Sequence, residues 1–265
     1  MRSKHVMFFV LAIIIPVVLI YSRTPDVSAE RRACYLAIII DDFGNNTEAT
    51  NKFINAEFKF TGAVMPNMPY TALESVALKE NGKGVILHMP MEAHNAKTSW
   101  MPQGAITTDL TDEQIRENIE AAISQIYGIS GINNHMGSLA MEDERIVNIL
   151  ADTASSHRLM LIDSKTTAKS LAKAAADELL LKFYERDIFL DGTKDRFTIE
   201  RNLMKAANIA QKYGFAIAIG HVGSAGGRPT YDAIMNKLAE LEQMNVVLVT
   251  MEEFDTILSF EHSLE

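Results

Sequence analysis

Residues 38–45 read IIIDDFGN, the end of an apolar, largely β-branched run (Leu36, Ala37, Ile38, Ile39, Ile40) that stops at two adjacent carboxylates, Asp41 and Asp42. A short apolar run without alternation reads as a strand buried on both faces, the pattern of a parallel sheet covered by helices. Gly44 permits a tight turn, and Asn45, Asn46 and Thr47 offer N-caps for a following helix. This order puts two carboxylates at the C-terminal mouth of a buried strand, where α/β folds carry their chemistry. Capping the next helix is the plainer role for one such acid, but one cap accounts for one Asp and not for the pair.

Seven similar runs follow, at 58–65, 85–89, 131–138, 159–162, 183–190, 215–219 and 246–249. Helical stretches alternate with them at 47–56, 70–80, from 111 onward, and at 142–157, 170–179, 198–213 and 229–244. The stretch from Thr111 opens on Asp112 and Glu113 and sets Ile115, Ile119, Ala122, Ile123 and Ile126 on one face. Gly214 stands as a C-terminal cap, and Pro229 near the first turn of the last of these helices. Strands alternating with helices imply a parallel sheet. Eight units in this length favour a distorted α/β barrel of seven to eight parallel strands, in a single domain over 30–265, above an open doubly wound sheet. A long loop, 92–110, carries Trp100, and loops of this length in compact domains usually cover a site. No Gly-rich nucleotide motif follows a strand.

Residues 1–29 stand apart. Arg2 and Lys4 precede an apolar run, 6–21, and Val27-Ser28-Ala29 follow, the layout of a secretory signal peptide. The run falls a few residues short of the roughly 20 that span a bilayer comfortably, with an uncleaved signal anchor as the alternative. Either way the domain is expected to be exported, to the periplasm or the cell surface, and to touch a membrane only through such an anchor. Removing Arg2, Lys4, Arg23 and Asp26 from 25 basic and 34 acidic residues leaves 22 and 33, a net charge of −11. That balance argues against nucleic acid or an anionic membrane face as the main partner. Cys34 is the one cysteine, so no intrachain disulfide forms, and it reads as a small buried hydrophobe.

The chemistry lies in where the polar residues fall. Asp41, Asp42, His88, His135, Asp163, Asp191 and His221 each end a strand-like run, and in a barrel those ends converge on one face. The remaining histidines, His5, His94, His157 and His262, do not share that position. Imidazoles together with a carboxylate suit a divalent transition metal, zinc first. Asp42, His88 and His135 supply three ligands, leaving a position open for water, with Asp41 as general base. His221 is the candidate acid toward a leaving group. Glu92, Asn134, Ser138, Asp163 and Asp191 form the surrounding set, in contact with substrate or orienting a histidine. No organic cofactor site is read.

At IIIDDFGNN, ILHMPMEA, GINNHMGS, LIDSKTTAKS, ERDIFLD and AIGHV followed by RPT, the chain resembles the divergent polysaccharide deacetylases, distant relatives of the NodB-homology carbohydrate esterases. The resemblance spans about 35–254. It implies a distorted β/α barrel that hydrolyses acetyl groups from N-acetylated sugars with a metal-activated water. It also implies that Asp41 is the base, that Asp42 and His135 are ligands, and that His221 is the late catalytic histidine. The sequence departs from the NodB pattern at two places. Leu139 stands where the second histidine of the metal motif is expected, and IDSKTTAKS occupies the place of the arginine-bearing motif. His88 replaces the lost ligand in the residue-based reading alone.

Three functions follow as expectations. The first is an exported metal-dependent hydrolase that deacetylates an N-acetylated polysaccharide or peptidoglycan. The second, motivated by Leu139, is a glycan-binding or envelope protein on an enzyme scaffold without turnover. The third keeps the metal and changes the reaction, to amide or phosphoester hydrolysis.

Overall fold

β1 (Cys34–Phe43) is the strand on which the sheet is built. The computed structural model describes residues 33–97 and 101–262; the segment read as signal peptide or anchor, and Trp100, lie outside the described residues. Next come α1 (Thr50–Ile54), β2 (Thr61–Val64), α2 (Thr71–Glu80), β3 (Gly84–Met91), α3 (Asp112–Ser124) and β4 (Gly131–Met136). A short 3-10 turn at Ala140–Glu142 leads into α4 (Glu144–Ser156), β5 (Met160–Asp163), α5 (Ala172–Glu178), β6 (Phe183–Glu185) and β7 (Ile188–Phe189). The chain closes with α6 (Arg196–Tyr213), β8 (Phe215–His221), α7 (Arg228–Gln243), β9 (Val246–Val249) and α8 (Met251–His262).

The strands pair in parallel in the order β6-β5-β4-β3-β2-β1-β8-β7, and the sheet curls into a distorted β/α barrel. β9 stands off this path. It pairs with Cys34–Ala37 of β1 on the side that β2 takes over from Ile39 onward, while β8 follows the other side from Tyr35 to Asp41.

Alternation along each strand sorts the apolar side chains into two layers. Leu36, Ile38 and Ile40 pack outward into the large core beneath the helices. Ala37 and Ile39 point inward and join Ala63, Ile86, Ile162, Ile217 and Ile219 in a smaller inner cluster. Met251 and Phe254 of α8 belong to that inner cluster too, so α8 plugs the end of the barrel where the strands begin. Its start is a reciprocal cap between Thr250 and Glu253. The inner cluster therefore forms a dry floor, and the strand ends above it are free to carry polar residues.

Three elements differ from the sequence reading. The run at 183–190 is not one strand, because it serves both edges of the sheet. β6 adds to β5 and β7 to β8, with the switch at Arg186, whose N–H donates to Asp163, and Asp187, whose N–H donates to Ile217. One kinked piece of chain thus spans the barrel seam. The helix read at 47–56 shrinks to α1, since Asn46 takes a left-handed conformation (φ 47°) and Thr47 donates its hydroxyl to the Val222 carbonyl. α8 was absent from the sequence reading, although Thr250 and Glu253 carry its capping signature. Among the described residues no helix is long and apolar enough to cross a membrane.

Ile39 lies in the inner cluster with no exposed surface. Ile39→Ala is expected to lower the unfolding free energy by about 2–5 kcal/mol, measured by denaturant titration.

Candidate active site

On a regular strand Asp41 and Asp42 would face opposite sides. Asp41 follows Ile39 at the same parity and points inward, buried at 2% exposure. The register with β2 slips between Ile40 and Phe43, and Asp42 sits at φ 72°. This is a bulge whose extra residue is left-handed, a conformation that costs an L-residue energy and recurs at functional sites. It swings Asp42 back toward its neighbour's side. Asp42 Oδ1 stands 3.4 Å from His88 Nε2 and 3.2 Å from His135 Nδ1, while Asp41 Oδ2 is 3.7 Å from the same His88 nitrogen.

The other inward residues follow the same alternation. Ile86 is succeeded by His88, Gly131 by Asn133 and His135, Ile162 by Ser164, and Ile219 by His221. His88 and Asn133 are direct partners across β3 and β4, as are Asp41 and His221 across β1 and β8. The site is the polar top layer of the barrel interior.

Asn133 is the residue the sequence reading missed. Its side chain is fully buried. Nδ2 donates to Asp41 Oδ1 at 2.9 Å and lies 3.3 Å from Ser164 Oγ, which leaves Oδ1 to face His88 Nδ1 at 2.8 Å. A carboxylate only accepts, so the amide can take only this orientation, and His88 must carry its hydrogen on Nδ1. In the neutral ring Nε2 is then bare and aimed at Asp42 and His135. The signal for Asn133 was available: it lies two residues before His135, at inward parity.

The three converging atoms, Asp42 Oδ1, His88 Nε2 and His135 Nδ1, form a triangle with edges of 3.0, 3.2 and 3.4 Å. A tetrahedral ion with bonds of about 2.0–2.1 Å places its ligand atoms about 3.3 Å apart. Asp42 Oδ1 is moreover buried without a hydrogen-bond donor. Three electron-rich atoms in this arrangement call for a shared proton or a cation among them. The donor set, one carboxylate and two imidazoles, fits a divalent transition metal.

The surrounding candidates divide. Asp191 reaches a histidine: its Oδ1 is 2.6 Å from His221 Nδ1, and Oδ2 accepts from the His221 N–H (2.8 Å) and from Thr230 Oγ1 (2.7 Å). Asp163 does not. It accepts from the Lys165 N–H at 2.7 Å and shapes that turn. Asn134 has the outward parity and ties β4 to the β5 loop, accepting from the Ser164 N–H and donating to the Met136 carbonyl. Glu92 accepts from the N–H and hydroxyl of Thr108, both at 2.7 Å, and Ser138 accepts from the His94 N–H. These last two fasten the long loop rather than the converging triangle. Leu139 makes a backbone bond to Glu92, and His88 comes from β3 to join Asp42 and His135.

Burial raises the Asp41 carboxyl above its usual range, with His88 and His221 pulling against it. Asp42 is also buried, but the adjacent His135 and His88 rings, when charged, outweigh that and hold it well below the carboxylate range. For His88, burial opposes the charged form and Asp41 and Asp42 more than compensate. For His221, burial again opposes charge, but the Asp191 bond, then Asp41, push it up to about 9. Phe189 stacks beside the His221 ring, 5.8 Å between centroids, and the Arg186 guanidinium lies 3.7 Å over Phe189.

The raised His221 value fixes the sign of one pH effect. The pair's contribution to stability is complete below about 6.5 and fades as pH climbs through about 9. The stability difference between wild type and Asp191→Asn should shrink across that interval. A Cβ at Gly226 would lie 1.9 Å from Asp191 Oδ2, so Gly226→Ala should displace the same carboxylate. In both variants NMR of the ring nitrogens should find His221 titrating well below about 9.

An uncharacterized protein of Haemophilus influenzae is 30% identical over 186 residues, 70% of this chain and 66% of that one, so the chain spans just under two thirds of its relative's length. A solved structure of the Agrobacterium tumefaciens protein ATU2773 superposes with a TM-score of 0.77 at 16% identity, over 84% of this chain and 89% of that one. A family 4 acetyl xylan esterase from Clostridium thermocellum, solved with a cobalt ion, gives 0.52 at 14% identity, over 84% and 91%. A mutant of BA3943, a CE4 family pseudoenzyme with restored enzymatic activity, gives 0.50 at 14% identity, over 84% and 68%. These structural likenesses speak to the fold. The family model described as divergent polysaccharide deacetylase matches residues 38–254, and with that match over most of its length the chain belongs to the divergent polysaccharide deacetylase family.

Proposed function

We propose that this protein is an exported metal-dependent hydrolase that removes acetyl groups from an N-acetylated polysaccharide or peptidoglycan. The observation that carries the reading is the triangle of Asp42 Oδ1, His88 Nε2 and His135 Nδ1 beside a second, buried carboxylate and opposite a basic imidazole. Family membership supports the substrate class, and the acetyl xylan esterase of similar fold, solved in complex with a cobalt ion, supports a metal at this site. Export to the periplasm or cell surface rests on the basic and apolar pattern of residues 1–29.

Asp42, His88 and His135 would hold the ion, zinc by donor chemistry. When bound, it supplies Lewis acidity toward an acetamide carbonyl and toward a water. The chain's own residues do the rest. Asn133 engages Asp41 Oδ1, leaving Oδ2 to take the proton of the attacking water. Burial makes Asp41 a stronger base than an exposed carboxylate. Asp191 engages His221 Nδ1, so Nε2 is the nitrogen that gives a proton to the departing amine. With a value of about 9, His221 enters the reaction charged at neutral pH. The overall change is acetamide and water to amine and acetate, with one proton accepted at Asp41 and one delivered from His221.

Leu139 and the pseudoenzyme neighbour favour a second reading, glycan binding without turnover. The purified protein separates the two. Reconstitution with zinc or cobalt should give about one ion per chain, lost in Asp42→Asn and His135→Ala. Acetate release from N-acetylglucosamine oligomers or peptidoglycan should fall about 10²–10⁴-fold in Asp41→Asn while the ion stays bound. No bound metal in wild type would sink the hydrolase reading. Metal binding and glycan affinity without acetate release would leave the binding role.

A further inference from the structure

The bulge that turns Asp42 inward has to be held, and one side chain far away in sequence holds it. Glu74, in the first turn of α2, is buried at 4% exposure. Its Oε2 accepts from the Gly44 N–H at 2.6 Å and its Oε1 from the Asn46 N–H at 2.5 Å. Both are charge-assisted bonds to backbone, the strong kind. The same loop is gripped elsewhere by backbone alone: Phe43 O accepts from Met65, and Gly44 O from Tyr70 at the start of α2. Gly44 itself is at φ 117°, in a spot where a Cβ would meet Met68 Cβ at 3.1 Å and Met65 O at 3.2 Å. Asn46 is left-handed as well. Of the three positive-φ residues, 42, 44 and 46, the last two thus carry the donors that Glu74 engages.

Released, such a strap would relax, because a left-handed Asp is less stable than an extended one. Relaxation restores strand alternation, and alternation carries Asp42 away from His88 and His135. We propose that Glu74 is a positioning residue: its bidentate grip on the Gly44 and Asn46 N–H groups keeps Asp42 in the left-handed conformation that presents Oδ1 to the two imidazoles. The consequence for metal affinity rests on the reading of Asp42 as a ligand, while the conformational claim does not.

The test compares wild type, Glu74→Ala, Glu74→Gln and, as a matched control, Ser75→Ala. Ser75 is a buried neighbour on α2 that bonds Ala72 and Tyr127 and does not touch the strap. In the metal-free proteins, amide exchange at Gly44 and Asn46 should accelerate in Glu74→Ala and not in Ser75→Ala, and its crystal structure should show Asp42 out of the left-handed region. Cobalt(II) titration followed by visible absorbance should show affinity reduced about 10–100-fold in Glu74→Ala and by less in Glu74→Gln, which retains one acceptor oxygen. Global unfolding should stay close to that of Ser75→Ala. If Glu74→Ala fails to fold, Glu74→Gln carries the same comparison. Folded variants that keep Asp42 left-handed with wild-type exchange at both amides would overturn the proposal, whereas unchanged cobalt affinity with Asp42 displaced would strike at the reading of Asp42 as a ligand. Absence of cobalt binding in wild type would instead strike at the hydrolase reading, and the metal-free measurements would still decide the role of Glu74.

Discussion

Neighbouring residues on a strand face opposite ways, and this site depends on β1 breaking that rule once. A barrel interior admits every second side chain, so the strand ends offer one inward position for each strand at a given height. Two adjacent acids aimed at one point need an extra residue and a left-handed turn, and both are present between Ile40 and Phe43. Everything else at the top conforms to regular alternation: His88, Asn133, His135, Ser164 and His221 all stand directly above inner-cluster residues or at their parity. The bulge is the irregularity that sets the place of Asp42, and the convergence of its Oδ1 with His88 Nε2 and His135 Nδ1 hinges on it.

The buried charges are tolerated because each is answered by a specific partner. An isolated carboxylate in the barrel interior would be expensive. Asp41 has the Asn133 amide, and Asp191 has the His221 ring, the His221 N–H and the Thr230 hydroxyl. Gly226 makes room for Asp191, since any side chain there would overlap the carboxylate. Among the buried side-chain nitrogen and oxygen atoms of the described residues, Asp42 Oδ1 alone is left without a partner, and such an exception calls for its own explanation.

Much of this was legible in the sequence. The apolar run ending in Asp41-Asp42, and the same ending at His88, His135 and His221, identified the parallel barrel and the end of it where these polar residues gather. Alternation carried one residue further would have chosen Asn133 over Asn134 and Ser164 over Asp163, since Ile132 and Leu161 pack outward. Glu92 and Ser138 looked like site residues because they follow strand ends, but loop anchoring uses the same polar types in the same places. The split of 183–190 was not legible, because a change of pairing partner leaves no mark on local hydrophobicity. The role of Glu74 was equally hidden: an acid in the first turn of a helix has an ordinary reason to be there.

The seam between β6 and β7 divides the top of the barrel into two sectors. His221, Phe189 and Asp191 belong to the β7–β8 side, and Ser164 and Asn133 to the β5 side. Between them the join is made by Arg186 reaching the Ser164 and Lys165 carbonyls, and by Asp187 accepting from the Ile217 N–H, in place of a continuous ladder. A ladder resists stretching cooperatively, whereas separate side-chain stitches yield one at a time. The compliance of the barrel is therefore concentrated there. The distance between Phe189 on β7 and Ser164 beyond β5, across the seam, is the dimension this fold can adjust most cheaply, while His221 stays tied to Asp41 by the β1–β8 ladder.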